Sequence, residues 1–333
     1  MPFLHQLLLS LSLAASFLTT ATDATLFSNS EIIDQISVLQ NSESYLSADA
    51  LDNTDSYQFQ AALITAETLA NDDSVELKHI LNFYVLSCIY YATNGVGNTE
   101  TNFPGSWIEE ENWLSTSDYC SWWGITCYQE DAVECDVDDG DSLFVTTTSD
   151  TDDRVLGICL AFNNVSGVWP AETGLLGGYL ALLAVDENEY AMAVEPYDWF
   201  ASLSGLKQLY AGSSSWDAHG IPTTLNQLSQ LEYFSVPYTY WSEGPIRGEA
   251  FAGLDNLKYV DMSDNLYDWM GDERSTLPDA LVELPQLQSF LLNNVIFHND
   301  DREEYFVTLS FLERMTGGVV KVWLDNTRLS GTI

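Results

Sequence analysis

The sequence predicts an α/β solenoid: short parallel strands, one per repeat, wound as a right-handed horseshoe behind a helical N-terminal region. Three observations predict it. First, Ile158-Cys159-Leu160-Ala161-Phe162-Asn163-Asn164-Val165-Ser166-Gly167 reads as LxLxxNxLxG. Second, Leu254-x-x-Leu257-x-x-Val260-x-Met262-x-x-Asn265 repeats the pattern. Third, further copies fall in phase: the Asn position is held by Asn163, Asn188, Ser214, Thr239, Asn265, Val295 and Thr327, at intervals of 25, 26, 25, 26, 30 and 32 residues. Such a unit cannot bury its apolar face alone, so neighbours must stack.

Each element has a physical reason. The LxL segment is a short strand whose alternate side chains point into the core. The Asn amide bonds backbone groups at the following turn, and Ser or Thr can replace some of those bonds. Val295 cannot, so its turn is expected to be irregular or served by Asn293 or Asn294. The longer intervals flank Val295. Their extra residues, around Tyr267–Ser275 and His298–Tyr305, are acidic and polar and are expected as loops on the convex side or flank. The pattern resembles the plant-type leucine-rich repeat.

Residues 1–21 read as a secretory signal: Leu7–Leu18 is an apolar run, and Thr19-Thr20-Ala21 offers small residues for cleavage. No Lys or Arg precedes the run, so the leading region is weak. Residues 22–54 form an acidic polar lead segment, expected to be loosely ordered. Residues 55–153 are read as a helical N-terminal cap with an acidic insert, and 154–333 as about seven repeats, the last incomplete. Asp55 or Ser56 caps one helix carrying Phe59, Ala62, Leu63, Ala66 and Leu69. A second helix starts near Ser74, carries Leu77, Ile80, Leu81, Tyr84, Val85 and Ile89, and stops at Asn94-Gly95.

Trp107, Trp113-Leu114 and Cys120-Ser121-Trp122-Trp123-Gly124-Ile125-Thr126-Cys127 then follow. They resemble the N-terminal cap motif W…C-x-W-x-G-(I/V)-x-C of plant-type leucine-rich repeat proteins. The helical lead-in, with Tyr57-Gln58-Phe59-Gln60 and Tyr90-Tyr91-Ala92-Thr93-Asn94-Gly95, is similar to secreted algal members. The resemblance covers about residues 55–333. It implies a Cys120–Cys127 disulfide and receptor-like recognition or cell-surface adhesion. The chain's last residues, Leu329-Ser330-Gly331-Thr332-Ile333, fall inside a repeat, and an open end is expected to self-associate or be covered.

The formal net charge is −40, from 50 acidic and 10 basic residues. Nucleic acid and anionic membrane surfaces are excluded as partners, because phosphate binding needs Lys and Arg. Cationic partners, or calcium, fit the charge. Of the five cysteines, Cys88, Cys135 and Cys159 leave one odd thiol if two of them pair. Cys88 lies in an apolar helix, where burial alone accounts for it. Cys159 points to the concave face, and a Cys135–Cys159 pair would staple the acidic insert to the first strand.

That insert holds the weak calcium candidates Asp136, Asp138, Asp139 and Asp141 around Gly140. The EF-hand template fails, since its first and third places hold Cys135 and Val137; a solvated acidic loop is the simpler reading. No nucleophile elbow, metal-ligand His spacing or phosphate loop is present, so no catalytic role and no cofactor are expected. Asn164-Val165-Ser166 is the N-glycosylation sequon.

Residues between the ladder positions form the concave face. Its candidate ligand-binding residues are Tyr210, Tyr233, Tyr238, Tyr259, Asp186, Asp261, Asp264 and Trp323. Tyr and Trp offer contact area with a polar handle, and here they alternate with carboxylates and amides. The mixture suits an extracellular peptide, protein or glycan. The expected function is therefore recognition by a secreted or cell-surface protein. The alternative is an adhesive matrix component whose acidic surface self-associates through calcium.

Overall fold

The computed structural model describes residues 27–70, 75–93, 107–127, 135–136, 142–143, 154–188, 190–193, 197–213, 221–239, 246–268, 277–298, 304–305, 307–315, 318–327 and 329–330. The expected secretory signal, and Asp138, Asp139 and Asp141, lie outside the described residues.

Three helices come first: α1 (Asn29–Gln40), α2 (Tyr57–Leu69) and α3 (Leu77–Ala92). Helix α1 lies in the segment expected to be loosely ordered, and corrects that expectation. Its start is fixed by a capping box: the Ser28 N–H donates to Glu31 Oε2 at 2.8 Å, and the Glu31 N–H donates to Ser28 Oγ at 3.3 Å. Ile32 and Ile36, one turn apart, are buried in a cluster with Ala62, Ala66, Ile80 and Tyr84. An apolar pair at helical spacing orders the segment despite its polar average. Helix α2 is capped by Ser56, whose Oγ accepts the Phe59 N–H at 3.0 Å. Helix α3 begins after Glu76, whose N–H donates to His79 Nδ1 at 3.0 Å.

The tryptophans of the W…CxWxG motif join α3 to the first strands. The Trp107 and Trp113 rings meet edge-on at 4.7 Å, as do Phe83 and Trp122 at 4.9 Å. Trp107 Nε1 donates to Thr93 O, and Trp113 Nε1 to Trp123 O. The disulfide Cys120–Cys127 spans 5.4 Å between Cα atoms.

The strands are β1 (Ile125–Cys127), β2 (Cys135–Asp136), β3 (Ser142–Leu143), β4 (Val155–Cys159), β5 (Ser166–Trp169), β6 (Leu182–Ala184), β7 (Tyr190–Ala193), β8 (Gln208–Tyr210), β9 (Tyr233–Ser235), β10 (Tyr259–Asp261), β11 (Leu266–Asp268), β12 (Ser289–Leu291), β13 (Ile296–His298), β14 (Glu304–Tyr305), β15 (Val307–Thr308), β16 (Lys321–Trp323) and β17 (Leu329–Ser330). The main sheet has the order β1-β4-β6-β8-β9-β10-β12-β16. Its last seven strands, one from each LxL copy, run parallel, while β1 is antiparallel to β4. Gly124 permits that approach. Its φ is +77°, and a Cβ there would stand 2.2 Å from the Cys159 carbonyl oxygen. The central strand residues Ile158, Leu183, Leu209, Phe234, Val260 and Phe290 are fully buried and make one continuous core.

Every repeat turns through one left-handed residue just before the Asn position. These are Phe162, Glu187, Ser213, Tyr238, Asp264, Asn294 and Asn326, with φ between 49° and 57°. The first six donate their N–H to the neighbouring repeat at 2.7–3.2 Å, which keeps the turns in register. Phe162 and Tyr238 are the costly members, since a bulky side chain disfavours this conformation. Tyr238→Asn is expected to raise stability by about 1 kcal/mol, read as a higher urea midpoint. An unchanged or lower midpoint would mean that ring contacts outweigh the strain.

The Asn ladder forms where the residue type allows it. Asn188 Nδ2 donates to the carbonyls of Leu160, Val185 and Asp186, while its Oδ1 accepts the N–H groups of Asn163 and Val165. Asn265 bonds Val236, Met262 and Ser263 carbonyls and the Thr239 N–H in the same way. At Val295 the turn keeps its shape: Asn294 has φ 53°, Asn293 Oδ1 accepts the Asp325 N–H at 3.1 Å, and Val295 is buried. Asn293 thus ties this turn to the next repeat, as Ser263 Oγ does one repeat earlier in accepting the Asn293 N–H.

The expected loops after the last Asn positions are partly strands. β11 pairs with β13, and β13 with β14, in a three-stranded flank sheet. Tyr267 and Phe297 point inward from it and are buried. These single aromatic residues carry the inward face, which a count of acidic residues overlooks.

A polar node fastens the helices to the first repeat. Glu172 is 1% exposed. Its Oε1 accepts from Gln40 Nε2 at 2.9 Å and its Oε2 from the Tyr57 hydroxyl at 2.8 Å. Gln40 also donates to the Tyr84 hydroxyl. Burial, with Glu172 nearby, pushes the Tyr57 and Tyr84 hydroxyls and the Cys88 thiol well above their usual ranges. All three stay neutral, and Cys88 is a buried, unreactive thiol. Among the described residues no helix is long and apolar enough to cross a membrane.

Candidate ligand-binding face

The outward residues of the main sheet fall in two rows. Strand register aligns Leu182, Gln208, Tyr233, Tyr259, Ser289 and Lys321 in one, and Cys159, Ala184, Tyr210, Ser235, Asp261, Leu291 and Trp323 in the other. Side chains two apart on a strand share a face, so both rows look away from the core.

The two ends of this face differ. Toward β4 and β6 it is covered. Leu182 and Ala184 are fully buried and Tyr210 is 9% exposed. They cluster with Leu156, Ala181 and Cys135, and Cys135 is joined to Cys159 by a disulfide with Cα atoms 5.9 Å apart. The staple expected as one option among the cysteines is therefore present, and it sets part of the insert on the sheet. Asp136, the calcium candidate within the described residues, lies in the short antiparallel pair β2–β3. Among the described residues no cluster of three His, Cys, Asp or Glu side chains could hold a metal ion.

Toward β9–β16 the aromatic row opens. Tyr233 and Tyr259 stack with centroids 6.0 Å apart and rings inclined by 29°, both half-buried. The Tyr259 hydroxyl reaches Asp261 Oδ2 at 3.4 Å. Trp323 is 52% exposed, with the Lys321 ammonium 3.9 Å from its ring centre. Lys258 pairs with Glu232 beside the tyrosine stack, and this bond raises the lysine pKa.

The sequence candidates thus separate. Tyr233, Tyr259 and Trp323 share the open part of the face. Tyr238 is 51% exposed on the rim, with Asp264 half-buried on the same row of turns. Asp264 Oδ1 accepts from Asn294 Nδ2, and Asn294 Oδ1 from Asn326 Nδ2, giving a side-chain ladder along that rim. Tyr210, Asp186 and Asp261 are buried, and Asp261 Oδ1 accepts the Ser263 N–H at 2.9 Å. These three are set into the scaffold rather than laid open to a ligand. Sequence reasoning passed over Gln208, Ser289 and Lys321, although the register that selects Tyr233 and Tyr259 places them in the same row. Asn164 of the sequon is half-buried with φ 54°, and its Ser166 is buried in β5.

No family model matches this sequence, and no curated protein does. Solved structures are similar at low identity. An LRR protein of Leptospira interrogans is 18% identical, over 49% of this chain and 36% of that one, with a TM-score of 0.37. The LRR ectodomain of the receptor kinase SOBIR1 from Arabidopsis thaliana is 15% identical, over 75% of this chain and 96% of that one, with a TM-score of 0.39. A Pollen Receptor Kinase 3 structure is 19% identical, over 70% and 92%, with a TM-score of 0.43. The chain thus spans little more than a third of the first of these, and most of the other two.

Proposed function

We propose that this chain is a non-enzymatic leucine-rich repeat recognition protein of the extracellular space or cell surface. It binds an extracellular peptide, protein or glycan through the β9–β16 part of its concave face. The observation that carries this reading is the stacked Tyr233–Tyr259 pair, half-buried in an outward row that ends beside Lys321 and Trp323. Aromatic rings held rigid on a sheet give contact area with little ordering cost, which is what a recognition surface needs. Two disulfides support an oxidising, extracellular setting. The three helices and the tryptophan cluster serve as the N-terminal cap, shielding the end of the array from water. Asn164 is the proposed glycosylation site.

The test is binding of the whole protein to arrays of oligosaccharides and peptides, followed by titration of whatever binds. Tyr259→Ala and Tyr233→Ala are each expected to weaken binding by about 2 kcal/mol, roughly 30-fold. Asp261→Asn, at a buried carboxylate, is expected to act mainly on stability. Full affinity in both tyrosine variants would overturn the reading. Calcium-dependent self-association in place of saturable ligand binding would favour the adhesive matrix reading.

A further inference from the structure

We infer that the ligand of the open face is an acidic oligosaccharide, a chain of sugars bearing carboxylate or sulfate groups, held across the strands by Lys207, Lys258 and Lys321. This rests on the proposed recognition face and names the class of molecule that the face takes.

Charge on this face runs against the rest of the chain. The residue before each strand belongs to a row of its own at the edge of the sheet. Lys207, Glu232, Lys258, Gln288 and Val320 are joined through backbone bonds from one repeat to the next. In each repeat the N–H of this residue and that of the next reach the same carbonyl, as Glu232 and Tyr233 both reach Lys207 O, at 2.7 and 3.0 Å. The regular pleat is interrupted there, so the leading residue stays at the rim beside the outward row. From β8 to β16 the edge row and the first outward row hold Lys207, Lys258 and Lys321 against a single carboxylate, Glu232. The whole chain has 50 acidic residues against 10 basic ones. Asp261, in the second outward row, is 7% exposed and accepts the Ser263 N–H. A strip with the reverse charge balance attracts the reverse partner, an anion.

The spacing and the neighbours point to a sugar chain. Lys207 on β8 and Lys258 on β10 stand two strands apart, and Lys258 and Lys321 on β16 again two, about 10 Å each at the usual strand separation. Glu232 pairs with Lys258, whose side chain keeps 37% of its exposure. Between the lysines the Tyr233 and Tyr259 rings make a shallow platform, and Trp323 stands beside Lys321 at its end. From Lys207–Gln208 to Gln288–Ser289 these two rows carry amides, hydroxyls, rings and charges, and no aliphatic side chain. A protein or an amphipathic peptide needs apolar anchors set in pockets. A sugar needs ring faces to lie on and polar groups for its hydroxyls, and an acidic sugar needs cations at intervals along its length.

The net charge of −40 does not forbid this. At physiological ionic strength exposed charges are screened beyond about 8 Å. A bound anion therefore responds to the lysines it touches, and much less to carboxylates elsewhere on the molecule. Glu232 is the one carboxylate within the strip, so neutralising it should tighten binding, whereas loss of a merely structural ion pair would not.

The test is calorimetric titration of the full chain at about 0.15 M salt, with a chelator present so that calcium cannot bridge two acidic surfaces. The probes are an oligouronate, its neutral methyl ester, a sulfated oligosaccharide of the same length, and oligoglutamate. At least one of the two anionic oligosaccharides should bind, about tenfold or more tighter than the ester, and the tighter of the two identifies the anion. Lys207→Gln and Lys321→Gln should each weaken that binding about fivefold, and Glu232→Gln should tighten it about threefold. Lys78→Gln, on helix α3, should leave it unchanged. Anionic oligosaccharides that bind no tighter than the ester, or oligoglutamate that matches them, would overturn the inference. So would weaker binding in Glu232→Gln. In each of those cases a loss at Tyr259→Ala with the probe that binds would keep the recognition face, and full affinity there would reject the face as well.

Discussion

Asn188→Ala is expected to destabilise the repeat array by about 4 kcal/mol. One amide serves five backbone groups across two turns: the carbonyls of Leu160, Val185 and Asp186, and the N–H groups of Asn163 and Val165. Asn188 is fully buried, so water cannot readily replace those bonds. A typical hydrogen bond contributes only about 1 kcal/mol net, but a buried group left unpaired costs about 1–3 kcal/mol. Some relaxation keeps the total below the simple sum. Asn188→Asp should be equally harmful, because a carboxylate supplies no donor to three carbonyls. Asn256 provides the comparison: its Nδ2 bonds the Ser229 carbonyl at 2.9 Å in an exposed setting, and Asn256→Ala should cost under about 1 kcal/mol. Urea denaturation followed by tryptophan fluorescence reads all three. A loss at Asn188 no larger than that at Asn256 would contradict the ladder's role.

The second large effect is expected at the buried node between helices and repeats. Tyr57→Phe removes the donor to Glu172 Oε2, and Gln40→Leu removes the donors to Glu172 Oε1 and the Tyr84 hydroxyl. Each leaves half of a buried carboxylate uncompensated and should cost about 3 kcal/mol. Glu172→Gln in the Tyr57→Phe background should recover part of the loss, since a neutral amide tolerates an unpaired oxygen better than a carboxylate does. Gln40 closes helix α1, so hydrogen exchange in Asn29–Gln40 should accelerate before that of the sheet. Wild-type stability in Tyr57→Phe, or exchange that quickens equally in both regions, would refute this account.

The repeats were legible because their signal is periodic and redundant. A strand residue facing the core must be apolar in every copy, and seven copies average out local exceptions such as Val295. The motif around Trp107–Cys127 was equally readable, since each tryptophan has a place in one packed cluster. Helix α1 was not, because its evidence is a two-isoleucine stripe within a polar segment. The flank strands β11 and β13 were hidden for the same reason: one buried aromatic residue each, Tyr267 and Phe297, set among acidic neighbours.

The candidate face shows the same division. Alternation along each strand determines which residues look outward, and it selected Tyr233, Tyr259 and Trp323 correctly as members of the outward rows. It cannot determine what then lies on top of them. Tyr210 satisfies every local condition for an exposed binding residue, yet it is buried in the cluster that contains Cys135. Covering a surface depends on contacts between segments distant in sequence, here Cys135 and Cys159, and five cysteines allowed more than one pairing. The repeat period, the strand faces and the net charge belong to the sequence alone, because they follow from local spacing and composition. The extent of open face was decided only by the tertiary structure, because accessibility is a property of the whole packed chain.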